Sequence, residues 1–317
     1  MKRVLAIPQP MAGHGREAGL MLEMRIGVHV SIAGGLCKAV ERAQALGCRT
    51  MQIFSKSPRG WAARPLDSVD MQEARRWRRQ AGISPFVVHA SYLINLAATD
   101  PALYERSIDS LRNELERCEM MAADFLVVHV GSAKNAQREP VARITRALRA
   151  VLGGSPWRTR VLLENTAGQR GEVGSRFEEL AELLSSVGSD RLGICLDTCH
   201  TFAAGYDLRT MPGVKKIVAQ LRDTVGVASL HLIHANDSKK GLGCRVDRHE
   251  HIGKGQIGLS GFRALLAHPD IRRLPIVLET PKTSDADDLR NLKTVRELAD
   301  LSGSPRRLID SGAAALA

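Results

Sequence analysis

The sequence has few cysteines, no C-x-x-C pair and no long uncharged apolar run. Its 317 residues include no stretch of about 18 consecutive apolar residues, which excludes a membrane-spanning helix. Six cysteines are too few for the dense disulfide framework of a small secreted domain. No linker or low-complexity stretch separates two domains. We therefore expect a cytoplasmic protein of one domain, with reduced thiols and no membrane partner.

Basic residues outnumber acidic residues by 45 to 34, which gives a formal net charge of +11. Arginine accounts for 34 of the basic residues and lysine for 11. This excess has two interpretations, a genome that favours arginine codons or a polyanionic partner such as nucleic acid, because arginine suits phosphate recognition. The hydrophobic content of 44% is enough to fill a globular core.

The two ends of the chain lack the periodicity of the middle. Residues 1–23 contain a short apolar run interrupted by proline and glycine, and they predict a disordered extension or a misassigned start, with Met21 and Met24 as alternative first residues. Residues 303–317 predict a frayed tail. The interval 24–302 is the predicted domain, and we expect it to be a monomer.

Eight short apolar runs recur along this interval, with helical patterns between most of them. The runs are Arg25–Val30, Thr50–Ser55, Phe86–Ala90, Phe125–Val130, Arg160–Asn165, Leu192–Asp197, Leu230–Asn236 and Pro275–Thr280. Near-continuous apolar runs are typical of buried parallel strands. The alternation of strand and helix predicts an α/β fold, a (β/α)8 TIM barrel, with a doubly wound open sheet as the alternative.

Two of the helical patterns are clear. Apolar residues recur every three to five positions from Leu103 to Ala122, with arginine and glutamate between them. Ser175 followed by Glu178 resembles a capping box and predicts a helix that runs to Val187.

Polar, ionisable residues end nearly all of the predicted strands. In chain order the strand ends are His29, Ser55, His89, His129, Glu164, Asp197, His234 and Glu279. In a parallel barrel these positions meet at the carboxyl-terminal face, where such barrels build active sites. Burying seven imidazole and carboxylate groups without partners would cost several kcal/mol each, and metal ions are the usual solution. A lone histidine there would more often be structural.

Two further segments add candidate ligands. His200 follows the sixth strand, and Asp247, His249 and His251 alternate along a later segment that could equally be a solvated loop. The nine candidate ligands are His89, His129, Glu164, Asp197, His200, His234, Asp247, His249 and Glu279. Nine ligands serve three metals if one or two carboxylates bridge, and such a set suits zinc, manganese or iron. Clustered metals generate hydroxide near neutral pH and neutralise phosphate, so they suit phosphodiester hydrolysis.

Several of these residues lie in strings that resemble the endonuclease IV family of apurinic/apyrimidinic endonucleases. The strings are IGVHVSIAGG at 26–35, HASYLINL at 89–96, HVGS at 129–132, LENTAGQ at 163–169, CLDTCHTFAAGYD at 195–207, HANDSK at 234–239, RVDRH at 245–249, IGKGQIG at 252–258 and LET at 278–280. They run in order from about residue 25 to 282, and the long central ones are highly specific.

The resemblance implies a (β/α)8 barrel of the xylose-isomerase type with three zinc ions. By matched motif, the three ligand sets would be His89, His129 and Glu164; Glu164, Asp197, His234 and Glu279; and His200, Asp247 and His249. No ligand position is substituted. His29 would support the ligands, His231 would be structural and His251 a spectator.

The resemblance also implies the reaction. The family hydrolyses the DNA phosphodiester 5′ to an abasic site and leaves a 3′-hydroxyl and a 5′-deoxyribose phosphate. By this analogy Glu164 would bridge the metals that hold a hydroxide, and Glu279 would orient this nucleophile. The third zinc would stabilise the leaving oxygen. The family often also trims blocked 3′ ends, so a 3′-repair diesterase activity is expected.

The partner implied is double-stranded DNA that contains an abasic site. Arg59, Tyr92 and Leu93 would fill the gap in the duplex, although Tyr92 and Leu93 could simply be loop packing. Four basic residues near the metal segments are candidate phosphate contacts or a solvated surface, namely Lys239, Lys240, Arg245 and Arg248.

Two other functions remain open. A metal-dependent sugar isomerase or epimerase on the related barrel also places histidines and carboxylates at strand ends, but it needs neither the cluster of His200, Asp247 and His249 nor a basic surface. A DNA-lesion binder with structural metals is the non-enzyme alternative. Structural zinc sites are usually rich in cysteine, whereas this set is rich in carboxylates.

Overall fold

A computed structural model describes residues 24–133, 140–153 and 157–303. The extension predicted at 1–23 lies outside these residues, as does the predicted tail beyond Gly303. Within the described residues, no helix is long and apolar enough to cross a membrane.

Eight parallel strands form a closed barrel. They are β1 (Ile26–His29), β2 (Thr50–Phe54), β3 (Phe86–His89), β4 (Phe125–Val128), β5 (Arg160–Glu164), β6 (Leu192–Asp197), β7 (Leu230–His234) and β8 (Ile276–Leu278). Each strand pairs in parallel with the next along the chain, and β8 pairs with β1 through Ile26 and Ile276. This closure confirms the predicted (β/α)8 barrel and excludes the open sheet.

Helices surround the barrel. They are α1 (Leu36–Ala45), α2 (Ser68–Gln80), α3 (Pro101–Met121), α4 (Pro140–Leu152), α5 (Phe177–Val187), α6 (Thr198–Ala203), α7 (Met211–Thr224), α8 (Gly258–Ala267), α9 (Pro269–Arg272) and α10 (Asp285–Gly303). A short antiparallel ribbon, Asp237–Ser238 with His249–Glu250, stands outside the barrel after β7. We refer to residues 237–250 as the ribbon arm.

Helix α3 shows how local sequence sets these boundaries. The Asp100 carboxylate accepts from the Leu103 backbone N–H at 2.7 Å, and Pro101 occupies the first turn, where no N–H is needed. The helix ends at Met121 and is capped by Ala122, which adopts the left-handed conformation with φ 54°. The predicted helix is thus confirmed, with its start two residues earlier.

The predicted start of α5 is wrong by one residue. Its N-cap is Arg176, not Ser175, and the third residue of the helix is Glu179, not Glu178. The Glu179 carboxylate accepts from the backbone N–H of Gly174 at 2.9 Å and of Arg176 at 3.4 Å. The carboxylate therefore holds the incoming loop as well as the N-cap.

The barrel interior explains the position of the polar strand ends. Six inward residues from six strands pack together as a small apolar cluster, namely Val87, Val127, Leu162, Cys195, Leu232 and Val277. Each is followed two residues later by a histidine or carboxylate. Because side chains alternate along a strand, these later residues also point inward, one layer nearer the carboxyl end. The apolar cluster is the floor of the polar mouth.

All six cysteines are free, and five of them are buried. The reduced state of these thiols in the cell stays a prediction.

Candidate metal centre at the barrel mouth

All nine predicted ligands lie together at the carboxyl end of the barrel. The structure groups their donor atoms into the three sets expected, with all donors in a set within 4.8 Å of one another. Glu164 belongs to the first and second sets. The assignment of these residues as metal ligands remains a prediction.

Glu164 is the centre of the cluster. It is fully buried, and one carboxylate oxygen, Oε2, lies 3.1 Å from His89 Nε2 and 3.0 Å from His129 Nε2. The other, Oε1, lies 2.9 Å from His234 Nδ1. Burial alone would raise the pKa of Glu164, but His234 and His129 hold it well below its usual value. The carboxylate is therefore charged and reaches three imidazoles from two oxygens.

Backbone carbonyls orient three of the imidazoles from outside. The contacts, all from a ring Nδ1, join His89 to the Ala90 oxygen at 2.8 Å, His200 to the Asn165 oxygen at 2.9 Å and His249 to the Glu279 oxygen at 3.0 Å. A carbonyl only accepts, so each Nδ1 is the donor. In the neutral ring the remaining nitrogen, Nε2, then has a free lone pair that points into the cluster.

Two of these inward nitrogens have no hydrogen-bond partner although they are buried. They are His200 Nε2 and His249 Nε2, and each lies 3.3 Å from the same Asp247 oxygen. Burial would lower the pKa of His200, but Asp197 and Asp247 raise it well above its usual value. The surroundings of His200 therefore favour positive charge, whether it is a proton or a metal cation. The lone pairs and carboxylate oxygens that face each other therefore fit a divalent metal.

The second donor set is held by neutral amides. Gln52 accepts from His234 Nε2 at 2.8 Å and donates to Glu279 Oε1 at 2.5 Å, so it aligns both side chains. Asn236 donates to Asp197 Oδ2 at 2.6 Å, and its own oxygen accepts from the Glu279 backbone N–H. These amides hold the carboxylates in position before any ion binds.

Residues predicted to play no ligand role lie elsewhere or behind the ligands. His29 contacts Gln52 at 3.0 Å and Glu279 Oε1 at 3.4 Å, consistent with a supporting role. His251 turns away from the donor sets and contacts Asn291 Nδ2 at 3.0 Å. His231 lies at the opposite end of the barrel, beside Arg160.

Sequence reasoning missed several side chains that shape the site. Gln52, Asn165 and Asn236 are neutral, so a search for charged strand ends does not find them. A glutamine inside an apolar strand is nevertheless a signal that could have identified Gln52. Cys195 and Cys199 also lie within reach of donor sets, Cys195 beside Glu164 and His234. Asp237 was missed as well, and its carboxylate accepts from four backbone N–H groups of residues 253–258 at 2.9–3.2 Å.

The predicted DNA-contacting residues lie on two loops that touch each other. The β2 loop (55–67) carries Arg59, and the β3 loop (90–100) carries Tyr92 and Leu93. The Tyr92 N–H donates to the Pro58 oxygen at 3.1 Å, which joins the loops. Arg59 is exposed and Leu93 is half-buried. Tyr92 is 56% exposed, and its ring lies 5.3 Å from that of Phe54. An exposed aromatic beside the cluster is available to a ligand.

The four candidate phosphate contacts share the ribbon arm with Asp247 and His249 of the third donor set. Lys239, Lys240, Arg245 and Arg248 are all exposed on the ribbon arm. The Lys239 N–H donates to the Arg248 oxygen at 2.9 Å, which ties the two strands of the ribbon together. The arm therefore presents positive charge next to His249.

A closed (β/α)8 barrel with clustered histidines and carboxylates at its mouth defines a class of metal-dependent barrel enzymes. The sequence model of the xylose isomerase-like TIM barrel family matches residues 40–301. D-tagatose 3-epimerase-like protein shares the fold, with a TM-score of 0.65 over 88% of this chain and 98% of that one, at 19% identity. At that identity the likeness shows the fold alone.

Closer relatives narrow the class. A protein of Methanosphaerula palustris named "Probable endonuclease 4" is 44% identical over 281 residues, which covers 87% of this chain and 98% of its own. Its counterpart in Chloroflexus aurantiacus is 45% identical over 278 residues, covering 86% and 98%. The endonuclease IV of Thermus thermophilus superposes with a TM-score of 0.78 at 40% identity, covering 87% and 99%. The chain belongs to the endonuclease IV family.

Proposed function

We propose that this protein is an apurinic/apyrimidinic endonuclease of DNA. It hydrolyses the phosphodiester 5′ to an abasic site and leaves a 3′-hydroxyl and a 5′-deoxyribose phosphate. The observation that carries the proposal is that three donor sets meet at the mouth of the barrel, two of them through Glu164. The family membership and the two loops beside the mouth support it.

The residues present fit three divalent ions, and we propose zinc, with manganese or iron as possible substitutes. When bound, such ions supply Lewis-acid stabilisation of phosphate charge and a nucleophilic water near neutral pH. His89, His129 and Glu164 would hold the first, and Glu164, Asp197, His234 and Glu279 the second. His200, Asp247 and His249 would hold the third.

Glu164 and Glu279 are the proposed catalytic residues. Glu164 is fully buried and shared by two donor sets, so it would hold these sets together during the reaction. Glu279 is aligned by Gln52 and lies at the rim, with 13% of its side chain exposed, where it can orient the attacking water. Hydrolysis by water needs no covalent intermediate, so no cysteine is required as a nucleophile.

Selection of the abasic site follows from the two loops. A nucleotide without a base costs little to extrude from the duplex, and a shallow mouth would exclude an intact base. Tyr92 and Leu93 would replace the lost stacking, and Arg59 would bind phosphate or a base edge. A 3′-repair diesterase activity uses the same phosphodiester chemistry on a blocked 3′ end, and we include it in the proposal.

The deciding experiment is incision of a duplex that carries one stable abasic analogue, with the purified protein before and after prolonged chelation. We expect a cut 5′ to the lesion with an extendable 3′-hydroxyl, lost on chelation and restored by zinc. A protein with a full metal content that leaves this duplex intact would contradict the proposal. Turnover of ketose sugars would then favour the epimerase alternative.

A further inference from the structure

Ser55 is the exception among the eight strand ends, because it is neither a histidine nor a carboxylate. Its side chain points away from the donor sets and donates to Glu114 Oε2 at 2.5 Å. Glu114 lies in the middle of α3 and is fully buried. None of the contacts described for Glu114 reaches a predicted metal ligand, so the proposed chemistry gives this buried carboxylate no role.

The Glu114 carboxylate connects the two loops that carry the proposed DNA contacts. Its Oε1 accepts from the Ser91 backbone N–H at 3.3 Å and lies 3.6 Å from Lys56 Nζ. Ser55 and Lys56 begin the β2 loop, and Ser91 lies near the start of the β3 loop. One side chain on a helix therefore holds the first residues of both loops.

Two buried cations complete the arrangement. Lys56 Nζ donates to Ser110 Oγ at 3.0 Å, and Arg117 donates to the Ser55 hydroxyl at 3.0 Å and to its carbonyl at 2.5 Å. Lys56, Glu114 and Arg117 are 9%, 0% and 7% exposed. We call Ser55, Lys56, Glu114 and Arg117 the loop anchor.

Burying three charges is expensive, and well-packed apolar residues often stabilise a fold as well or better. What an ionic cluster offers instead is one defined geometry. The loops it holds are cross-linked again further out, because the Ser91 hydroxyl and the Tyr92 N–H both donate to the Pro58 oxygen, at 2.9 and 3.1 Å. Pro58 precedes Arg59, so the anchor sets the relative placement of Arg59 and Tyr92.

We propose that Glu114 is a positioning residue for DNA recognition, which acts by holding both loops in the conformation that enters the duplex. This inference rests on the proposed function. A binding surface that is already ordered loses less entropy when it binds. Loss of the anchor should therefore weaken duplex binding and leave the metal-based chemical step intact.

The test compares two glutamates of one helix. Glu114→Gln keeps the shape but removes the charge between Lys56 and Arg117. Glu119→Gln is the matched control, because Glu119 holds the backbone N–H groups of Arg158 and Thr159 at 2.7 Å, at the other end of the barrel. For the wild type and both variants we would measure zinc content, kcat and KM for abasic duplex. The Kd is measured for a duplex whose scissile linkage is a phosphorothioate.

We expect Glu114→Gln to raise KM and Kd by about tenfold through lost pre-organisation. We expect kcat and zinc content to stay within about twofold of the wild type, and Glu119→Gln to leave KM and Kd unchanged. Equal Kd values for Glu114→Gln and Glu119→Gln would overturn the inference. So would a fall in kcat or zinc content that matches the change in KM, because the role would then be structural.

Ser55→Ala provides a second, milder variant if Glu114→Gln does not fold. It removes the hydrogen bond from the hydroxyl to the carboxylate and the one that the hydroxyl accepts from Arg117. It keeps all three charges, and it should raise Kd by about threefold. A wild-type Kd for Ser55→Ala, measured on folded protein, would overturn the inference by itself.

If the wild type neither binds nor cuts the abasic duplex, the proposed function fails and this inference with it. If the wild type cuts normally, only the role of Glu114 is under test.

Discussion

Strand β7 carries a histidine at each end of the barrel interior, His234 at the carboxyl end and His231 three residues earlier. His234 Nδ1 faces two carboxylates, Glu164 at 2.9 Å and Glu279 at 3.3 Å. His231 Nε2 instead accepts from the Arg160 guanidinium at 2.9 Å, and its ring lies 5.9 Å from that of Phe125. One imidazole thus faces two carboxylates, and the other faces a guanidinium.

The wider surroundings continue this contrast. At the amino end a cavity of about 740 Å³ is lined by five arginines, Arg25, Arg75, Arg158, Arg160 and Arg191, against three carboxylates. Arginine is always protonated and offers no lone pair, so the five arginines at this end supply no metal ligand. The residue type alone does not make a ligand of a histidine. The charge of the neighbouring side chains decides whether a histidine is suited to bind a cation or to pack as a structural residue.

The largest effect should come from the residue shared by two donor sets. Glu164→Gln removes the charge that faces three histidines and should lower incision by at least about a thousandfold, with reduced zinc content. The measurement is single-turnover cleavage of abasic duplex together with metal analysis. Glu119→Gln, the same change at the amino end, should leave both unchanged. Full activity of Glu164→Gln would remove its bridging role.

A smaller effect on metal content should distinguish His249 from His251, which lie two positions apart. His249→Ala should lower the number of bound metal ions by about one and incision by about a hundredfold, because a three-residue set loses a ligand. His251→Ala is the matched control, since its ring contacts Asn291 instead. Metal content after extensive dialysis is the direct readout. Equal metal content in both variants would contradict the third site.

Affinity for abasic duplex should distinguish an arginine at the carboxyl end of the barrel from one at the amino end. Arg59→Ala should weaken affinity for abasic duplex by about tenfold and flatten its dependence on salt, as expected when one phosphate contact is lost. Arg158 is also exposed but lies at the amino end, and Arg158→Ala should change neither quantity. Fluorescence anisotropy at several salt concentrations measures both quantities. Equal losses in the two variants would mean that net charge, not position, governs binding.

The smallest effect concerns stability at the amino end. Burial, with Arg160 beside it, lowers the pKa of His231 from 6.5 to about 4. Between these values the unfolded chain binds more protons, so the stabilisation is complete above pH 6.5 and is lost as pH falls toward 4. His231→Gln should remove this dependence, and its Tm should fall by about 1–3 °C less than that of the wild type between pH 7 and 5. Parallel Tm curves would contradict this assignment, because the mouth histidines contribute equally to both proteins.

The sequence predicts the barrel well because its signal is repeated. All eight strands occur, and most predicted ends differ from the observed ones by one or two residues. The overextended ends are still partly paired, since the N–H of Ala90 donates to the Val127 oxygen at 2.8 Å and that of Ala235 to the Val277 oxygen at 2.9 Å. The start of α5 was misplaced because the spacing of a capping box does not show which glutamate turns back to the loop.

Six of the nine proposed ligands could be chosen from the sequence because alternation along parallel strands places the charged strand ends at one mouth. The other three, His200, Asp247 and His249, come from segments beyond the barrel strands, and the family resemblance singles them out. Gln52, Asn236 and Glu114 could not be chosen in this way. Their importance depends on which strands become neighbours, and Gln52 meets Glu279 across 227 positions of sequence. The sequence around a neutral amide or a helix glutamate does not indicate such a long-range contact.

The last strand of the barrel completes the donor sets only after the other seven strands have been synthesised. Glu279 follows β8, the last strand to leave the ribosome, and β8 must pair with β1 for the ring to shut. A nascent or truncated chain that ends before residue 279 lacks one member of the second donor set and the carbonyl that orients His249. Assembly of the complete donor sets therefore requires a chain that extends at least through residue 279.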